Sequence, residues 1–228
     1  MKSELKRAIR LTAGLITVAA TTATAEQGKF YVGGDIGAVV ATDTELKEFF
    51  GQPLAPNSEL TFDPGFRLGV RGGYGVTDWF DAEVETGFMV NGIDSATGAL
   101  EADGSLTQIP LLINARFHCP AFHGVSPYFG GGFGMSTSIL WADDLTIGTP
   151  TDFTALNGNM YGVTFAYQAF AGVQFAINDQ MSLSLEYHYF ATTGTEMDVD
   201  ATFNTPSDQM EIGSTASHTA TIGFTYRF

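Results

Sequence analysis

The sequence predicts an all-β protein, an eight-stranded antiparallel up-and-down transmembrane β-barrel. Apolar and polar residues alternate with a period of two in eight segments. The connections between these segments are alternately short and long, and aromatic residues gather at the segment ends, as is typical of membrane-spanning barrels. A soluble β-sandwich would show the same alternation, so the connection lengths and the aromatic residues decide between the two folds.

The alternation is the primary evidence for each strand. Successive side chains on a strand point to opposite faces, so each segment has one apolar face and one polar or small face. In chain order the segments are 30–40, 66–76, 80–90, 107–117, 127–141, 161–175, 181–189 and 218–228. Representative residues of the apolar faces, in the same order, are Ile36, Val70, Val84, Ile113, Phe133, Phe165, Leu185 and Phe224. Representative residues of the opposite faces are Asp35, Arg71, Glu85, Asn114, Gly132, Gln168, Glu186 and Thr225.

The connections divide the predicted barrel into two ends. Short turns are predicted at 77–79, 119–126 and 178–180, and long loops at 41–61, 94–104, 142–160 and 196–212. The long loops hold fifteen acidic residues and one basic residue, Lys47. Loops with this charge cannot insert in lipid. We therefore expect them outside the cell, with the N- and C-termini in the periplasm.

The first long loop carries a helix signal. Thr42 and Glu45 form a capping pattern ahead of Leu46, Phe49 and Phe50. This pattern predicts a short helix within the loop.

The first 25 residues predict a cleaved signal peptide. A basic start is followed by an apolar run at 11–20, and Ala23 and Ala25 have the spacing that signal peptidase accepts. The alternative is an anchored N-terminal helix, but the run is shorter than the roughly 20 residues that a membrane helix needs. The domain division is therefore a signal peptide at 1–25 and an outer-membrane β-barrel at 26–228.

The net charge excludes some partners. The leader carries four of the ten basic residues and one of the 25 acidic residues, so the remaining chain carries six and 24, a net charge of −18. Such a surface repels nucleic acid. The favoured interpretation of the acidic loops is a solvated, repulsive surface. The alternative is that divalent cations bind there, either at Asp143, Asp144, Asp198 and Asp200 or as bridges to anionic lipopolysaccharide. The single cysteine, Cys119, cannot form an internal disulfide.

Several segments resemble a known family. Ile109–Phe117 followed by Pro127–Gly134, and Ala171–Phe175 with Leu183–Tyr189, are similar to strands of small outer-membrane barrels of the opacity-protein and OmpA-transmembrane-domain type, the porin-family outer membrane proteins. The resemblance implies that the barrel-assembly machinery reads the end of the chain as an assembly signal, formed by Ile222, Phe224, Tyr226 and Phe228. It says little about activity, because structural proteins, adhesins, narrow pores and some enzymes share this fold.

The polar faces predict a charge network inside the barrel. Eight strands leave an interior that side chains just fill, so charges there must pair. The residues concerned are Asp35, Arg67, Arg71, Asp81, Glu83, Glu85, Arg116, Glu186, His188 and Arg227. The favoured interpretation is a salt-bridge plug that holds the barrel together. The alternative is a gate that admits small solutes, because many glycines on the same faces leave space.

Two other constellations give weaker hypotheses. His118, Cys119 and His123 form an incomplete metal-ligand set near a turn. His218 lies near Ser214, Ser217 and Glu211, as a hydrolase would require, but the adjacent Ser217 and His218 must point to opposite faces of a strand. No catalytic, cofactor-binding or metal-binding residue is therefore assigned.

The sequence as a whole predicts a non-enzymatic outer-membrane barrel. Its expected role is structural, with surface interactions through four acidic extracellular loops. Its expected partners are outer-membrane lipid, lipopolysaccharide, the barrel-assembly machinery and divalent cations. A narrow pore for small solutes is the alternative function, followed by a lipid-modifying enzyme.

Overall fold

The computed structural model describes residues 27–49, 52–53, 58–96, 99–122, 124–149, 152–199 and 209–228. The predicted signal peptide, Phe50, His123 and Asp200 lie outside the described residues. The strands in the described part of the chain are β1 (Phe30–Ala41), β2 (Thr44–Phe49), β3 (Gln52–Pro53), β4 (Glu59–Phe62), β5 (Gly65–Thr77), β6 (Phe80–Ala96), β7 (Ala99–His118), β8 (Val125–Thr149), β9 (Asp152–Ala176), β10 (Met181–Thr192), β11 (Thr195–Val199), β12 (Gln209–Ile212) and β13 (Ala216–Arg227).

Eight of these strands close into a ring. β1 pairs with β5, and the ladder continues through β6, β7, β8, β9 and β10 to β13, which pairs with β1 again. Every pairing is antiparallel. The predicted eight-stranded antiparallel barrel is therefore confirmed. Three short connections, at 78–79, 119–124 and 177–180, lie at one end of this ring, which we call the turn end.

The wall extends beyond this ring at the other end, which we call the hairpin end. There β6 pairs with β4, β4 with β2, β2 with β12, β12 with β11, and β11 with β9. With β7 and β8 these strands form an upper ring that also has eight strands. β6 to β9 run through both rings, whereas the wall opposite them is interrupted at 42–43, 63–64, 193–194 and 213–215.

The predicted long loops were wrong in extent. β8 and β9 each have 25 residues, and β2, β4, β11 and β12 lie within stretches predicted as loops. Acidic residues such as Glu45 and Glu59 can lie on strands there because their exposed side chains are solvated, while neighbouring strands supply hydrogen-bond partners to the backbone.

The predicted helix after Thr42 is also wrong. Residues 44–49 form β2, which pairs with both β4 and β12. The Thr42 side chain and backbone N–H both donate to the carbonyl oxygen of Ala216, at 3.0 and 2.8 Å. Tertiary hydrogen bonding to neighbouring strands has overridden a local capping signal.

Burial is inverted relative to a soluble protein. Large apolar side chains stand on the outer face of the barrel; Ile36 and Phe133, for example, are about 60% exposed. Charged side chains on the inner face, such as Arg71 and Glu83, are 2% exposed. A soluble sandwich would bury the first set and expose the second, so this arrangement identifies a barrel with a lipid-facing exterior. Among the described residues, no helix is long and apolar enough to cross a membrane.

Candidate functional site in the barrel interior

The inner faces of four neighbouring strands, β1, β5, β6 and β7, and of β9 and β10 bring the charged residues together. Strand geometry puts every second residue of β1, β5, β6 and β7 into the lumen, so carboxylates and guanidinium groups meet across adjacent strands. The residues that share this layer are Asp35, Arg67, Arg71, Glu83, Glu85, Asn114, Arg116, Gln168, Glu186 and His188. All of them are buried. We call this group the charge layer.

Arg116 is the centre of the charge layer on the side of the turn end. Its Nε donates to Oε1 of Glu83 at 2.8 Å, and its Nη1 lies 3.1 Å from Oε2 of Glu186. The guanidinium also lies over the rings of Tyr128 and Phe170, with its Cζ 4.2 and 5.0 Å from the two ring centroids. Two carboxylates and two aromatic faces therefore compensate for the desolvation of this cation.

Arg71 and Arg67 extend the network towards the hairpin end. Nη1 of Arg71 donates to Glu186 at 3.2 Å and to Asp35 at 3.4 Å. Asp35 also accepts a hydrogen bond from Nε of Arg67 at 3.1 Å, and Nη2 of Arg67 pairs with Glu85. Nε of Arg71 also lies 4.0 Å from Oε1 of Glu83. Asp35 therefore joins the two arginines, and each arginine has at least two carboxylate partners.

Neutral groups complete the network. Glu85 accepts hydrogen bonds from Asn114 at 2.6 Å and Gln168 at 2.8 Å. Glu83 accepts one from the Tyr31 hydroxyl at 2.6 Å. Carboxylates with several donors are much less costly to bury than isolated ones, so these neutral partners stabilise the charge layer.

The remaining predicted residues lie at the edges of this layer. Nε2 of His188 lies 2.8 Å from Oε1 of Glu186. Asp81 is separate from the main network and pairs with Nε2 of His118 at 2.8 Å. Arg227 is only half-buried, and its guanidinium lies 5.5 Å from the ring centroid of Tyr31.

Three inward glycines make room for aromatic side chains of the neighbouring strands. Tyr31 lies across Gly73, Tyr128 across Gly172, and Phe170 across Gly130 on the neighbouring strand. A Cβ atom at any of these glycines would collide with the opposite aromatic side chain. The expectation that glycines leave space in the lumen is therefore wrong at these three positions, because aromatic rings occupy that space.

An apolar layer lies directly above the charge layer, towards the hairpin end. It consists of Val39, Met89, Leu112, Ala166 and Phe190, which cluster inside the barrel and are at most 1% exposed. Each lies two or four residues along its strand from a member of the charge layer. The interior is therefore occupied at two successive levels by the described residues, first by ion pairs and then by hydrocarbon.

A cavity of about 10 Å³ lies beside the ion pairs, among Tyr31, Arg71, Glu83 and Arg116. This volume is close to the smallest that holds one water molecule.

The two weaker hypotheses find no supporting geometry. His118 is bound to Asp81, and among the residues that the structure describes no group of three or more His, Cys, Asp or Glu could hold a metal ion. Ser217 is 2% exposed and points inwards, whereas His218 points outwards. Nδ1 of His218 is 2.6 Å from the Tyr187 hydroxyl, so its partner is a phenol and not a serine.

Comparison with known proteins agrees with this architecture. The model of the outer membrane protein beta-barrel domain family matches residues 10–228. The chain belongs to this family. Membership in the outer membrane protein beta-barrel domain family implies location in the outer membrane. No curated protein sequence matches the chain.

Solved structures show the same fold. OprG from Pseudomonas aeruginosa is 16% identical, with 89% of this chain and 97% of that chain covered and a TM-score of 0.58. Neisserial surface protein A is 16% identical, with 87% and 97% covered and a TM-score of 0.52. The outer membrane protease OmpT from Escherichia coli is 10% identical, with 93% and 100% covered and a TM-score of 0.51. At these identities the likeness extends to the fold alone.

Sequence reasoning missed part of the interior of this family member. Tyr31, Tyr128 and His118 join the ion pairs, and the apolar layer was not predicted at all. The signal was present for most of these residues, because Tyr31, Asn114, Leu112 and Gln168 all fall on the inward parity of their strands. Extending the inward parity to every residue type, instead of to charged residues alone, would have found them.

Proposed function

We propose that this chain is a non-enzymatic outer-membrane barrel that is closed to solutes and holds a rigid acidic wall at the cell surface. The observation that carries the proposal is the continuation of the wall into an upper ring, above a lumen that two layers of side chains fill. A barrel built for conduction needs a continuous wet path. A barrel built for surface contact needs a stiff extension beyond the lipid.

The height of the apolar exterior supports a barrel whose upper ring extends beyond the lipid. From His218 in β13 to Phe228, which directly follows this strand, the outer face spans ten residue steps, or about 25 Å along the membrane normal at a typical barrel tilt. This equals the usual height of a barrel's apolar band. β8 and β9 extend well beyond it. We place the turn end and both termini in the periplasm, which puts the upper ring outside the cell.

The upper ring has acidic residues on its exterior. Glu45 and Glu59 lie directly opposite each other on β2 and β4, and both are exposed. Asp94 and Asp103 are exposed nearby. Like charges directly across a ladder destabilise it. We propose that divalent cations offset this repulsion by bridging the wall to the phosphates of neighbouring lipopolysaccharide.

Conductance tests the closed lumen. Purified, heat-modifiable protein is reconstituted in planar bilayers, and single-channel current is recorded over a wide voltage range. We expect no conductance steps. Reproducible steps from protein that shifts in the heat-modifiability gel would instead support the alternative function, a narrow pore.

Vesicles of two compositions test the cation bridges. The thermal midpoint is measured with and without Mg²⁺ in lipopolysaccharide-containing vesicles and in phosphatidylcholine vesicles. We expect Mg²⁺ to stabilise the barrel by several degrees only where lipopolysaccharide is present, and less in Glu45→Gln. An equal Mg²⁺ effect in both vesicles would contradict bridging to lipopolysaccharide.

A further inference from the structure

A histidine at the upper edge of the apolar band is held between two tyrosines. His218 on β13 lies directly opposite Tyr189 on β10, and its ring centroid is 5.4 Å from that of Tyr189. On its other side the Tyr187 ring is nearly parallel to it, with centroids 6.0 Å apart. The Tyr187 hydroxyl lies 2.6 Å from Nδ1. The imidazole is thus fixed in position on a surface that faces lipid.

The hydrogen bond determines what the other ring nitrogen offers. At the low-dielectric edge of the membrane a hydroxyl hydrogen without an acceptor is costly, so the Tyr187 hydroxyl donates to Nδ1 of the neutral ring. The ring proton is then on Nε2. If the ring is protonated, both nitrogens carry hydrogen. In both states Nε2 is a donor, and none of the described residues accepts its hydrogen bond.

A groove begins directly below this histidine. It has a volume of about 520 Å³ and runs over the outer face of β9, β10 and β13. Small residues, Ala171 and Ala220, flank Tyr187 on the two neighbouring strands at the same level. The larger side chains of Leu185 and Ile222 form its lower part. Tyr187 lines the groove and also binds His218, so the groove and the donor form one continuous surface.

We propose that this surface binds one phosphate-bearing lipid of the leaflet at the hairpin end, with its phosphate on Nε2 of His218 and an acyl chain in the groove. The level fits, because His218 lies about 25 Å above Phe228, where an apolar band of that height meets the headgroups. This assignment depends on the barrel crossing a membrane. It does not depend on the proposed acidic wall or on the orientation of the barrel.

The two contacts have different roles. Lipid tails are as apolar as the groove, so a chain gains packing there but no hydrophobic transfer energy. Packing places the lipid without selecting its headgroup. A phosphate accepting a hydrogen bond from Nε2 at the low-dielectric edge of the membrane does select it. Loss of the donor should therefore abolish the preference for phosphate, whereas filling the groove should reduce binding of any lipid.

Lipid retention measured by native mass spectrometry tests both roles. The folded barrel is exposed to dimyristoyl phosphatidic acid or to dimyristoylglycerol, which has the same chains without the phosphate. The variants are His218→Phe, which removes the donor, Ala220→Leu, which fills the groove, and Tyr161→Phe as a matched control at another exposed tyrosine near the hairpin end. Heat-modifiability shows that each variant is folded.

We expect wild type and Tyr161→Phe to retain the phosphatidic acid about fivefold more than the diacylglycerol, the ratio that one hydrogen bond typically gives. His218→Phe should retain both lipids equally, and Ala220→Leu should retain less of each. The proposal is overturned if the phosphate preference survives in His218→Phe, if inorganic phosphate displaces the lipid, or if the groove proves to join two copies, seen as a dimer that Ala220→Leu converts to monomer.

Discussion

Arg116 illustrates how a single residue supports the barrel interior. Its guanidinium has carboxylates from β6 and β10 on two sides and the rings of Tyr128 and Phe170 on its faces. Removing it would leave Glu83 and Glu186 with fewer partners in a buried layer. The cost of such a change is dominated by the carboxylates that remain, not by the contact that is lost.

Replacement of Arg116 should therefore strongly destabilise the barrel. We expect Arg116→Met to lower the free energy of unfolding by about 3–5 kcal/mol, the usual cost of breaking a buried ion pair from one side. Denaturant unfolding in detergent micelles measures this. Arg227→Met is the matched control, because Arg227 is half-buried at the turn end, and its loss should be below about 1 kcal/mol. Equal losses would show that burial does not set the effect.

The pairing of Tyr31 with Gly73 is testable at the same scale. A methyl group at Gly73 would collide with the Tyr31 ring, whereas one at Gly72 on the outer face would meet no atom within 4 Å. We expect Gly73→Ala to lower the free energy of unfolding by about 1–3 kcal/mol, as overpacking does, and Gly72→Ala to leave it nearly unchanged. In a Tyr31→Ala background the cost at Gly73 should largely disappear. A loss of stability that persists in the Tyr31→Ala background would show that the backbone at Gly73, and not the Tyr31 ring, causes it.

At the scale of elements, the sequence was informative where lipid and lumen face opposite sides of a strand. There the period of two is strict, and all eight strands of the closed ring formed by β1, β5 to β10 and β13 lie where alternation predicts them. Above the lipid both faces of a strand meet water or the buried residues inside the upper ring, and alternation weakens. The sequence around Glu45 and Glu59 therefore predicts a loop, although the two residues pair with each other across β2 and β4.

The interior was predictable to a similar degree. Alternation identified which charged residues share the lumen, because parity is a local property. The particular pairs, such as Arg71 between Asp35 and Glu186, depend on the register of strands far apart in the chain. Register is set by turns and bulges across the whole ring, and a single sequence does not reveal it.

The last strand, β13, is expected to direct membrane assembly. Ile222, Phe224 and Phe228 are exposed on the outer face, and the backbone N–H of Phe228 donates to the carbonyl of Phe30 at 2.9 Å. Deleting Phe228 should slow membrane assembly far more than deleting residues 200–208. Pulse-chase labelling with heat-modifiability as the readout measures this. Similar assembly of both variants would show that Phe228 is not an assembly signal.

At the scale of the whole molecule, the two closing layers act in series. The charge layer and the apolar layer occupy successive levels of one lumen, so each alone should block ions. We expect Phe190→Ala, which thins only the apolar layer, to show no conductance steps in planar bilayers. Leu140→Ala, at another buried position of similar size nearer the hairpin end, is the control for general destabilisation. Steps from Phe190→Ala alone would show that the charge layer does not close the lumen.

The four unbroken strands β6 to β9 also determine how the molecule carries a mechanical load. A pull on the tip of the β8–β9 hairpin, directed away from the membrane, acts along these strands, so their ladders are loaded in shear and many hydrogen bonds must break together. On the opposite side the same pull crosses the interruptions, where single bonds such as that from Gly213 N–H to the Glu45 carbonyl, at 2.8 Å, replace a continuous ladder. The strands should separate there first. A load attached to β8 or β9 should therefore withstand a larger pulling force than one attached to β2.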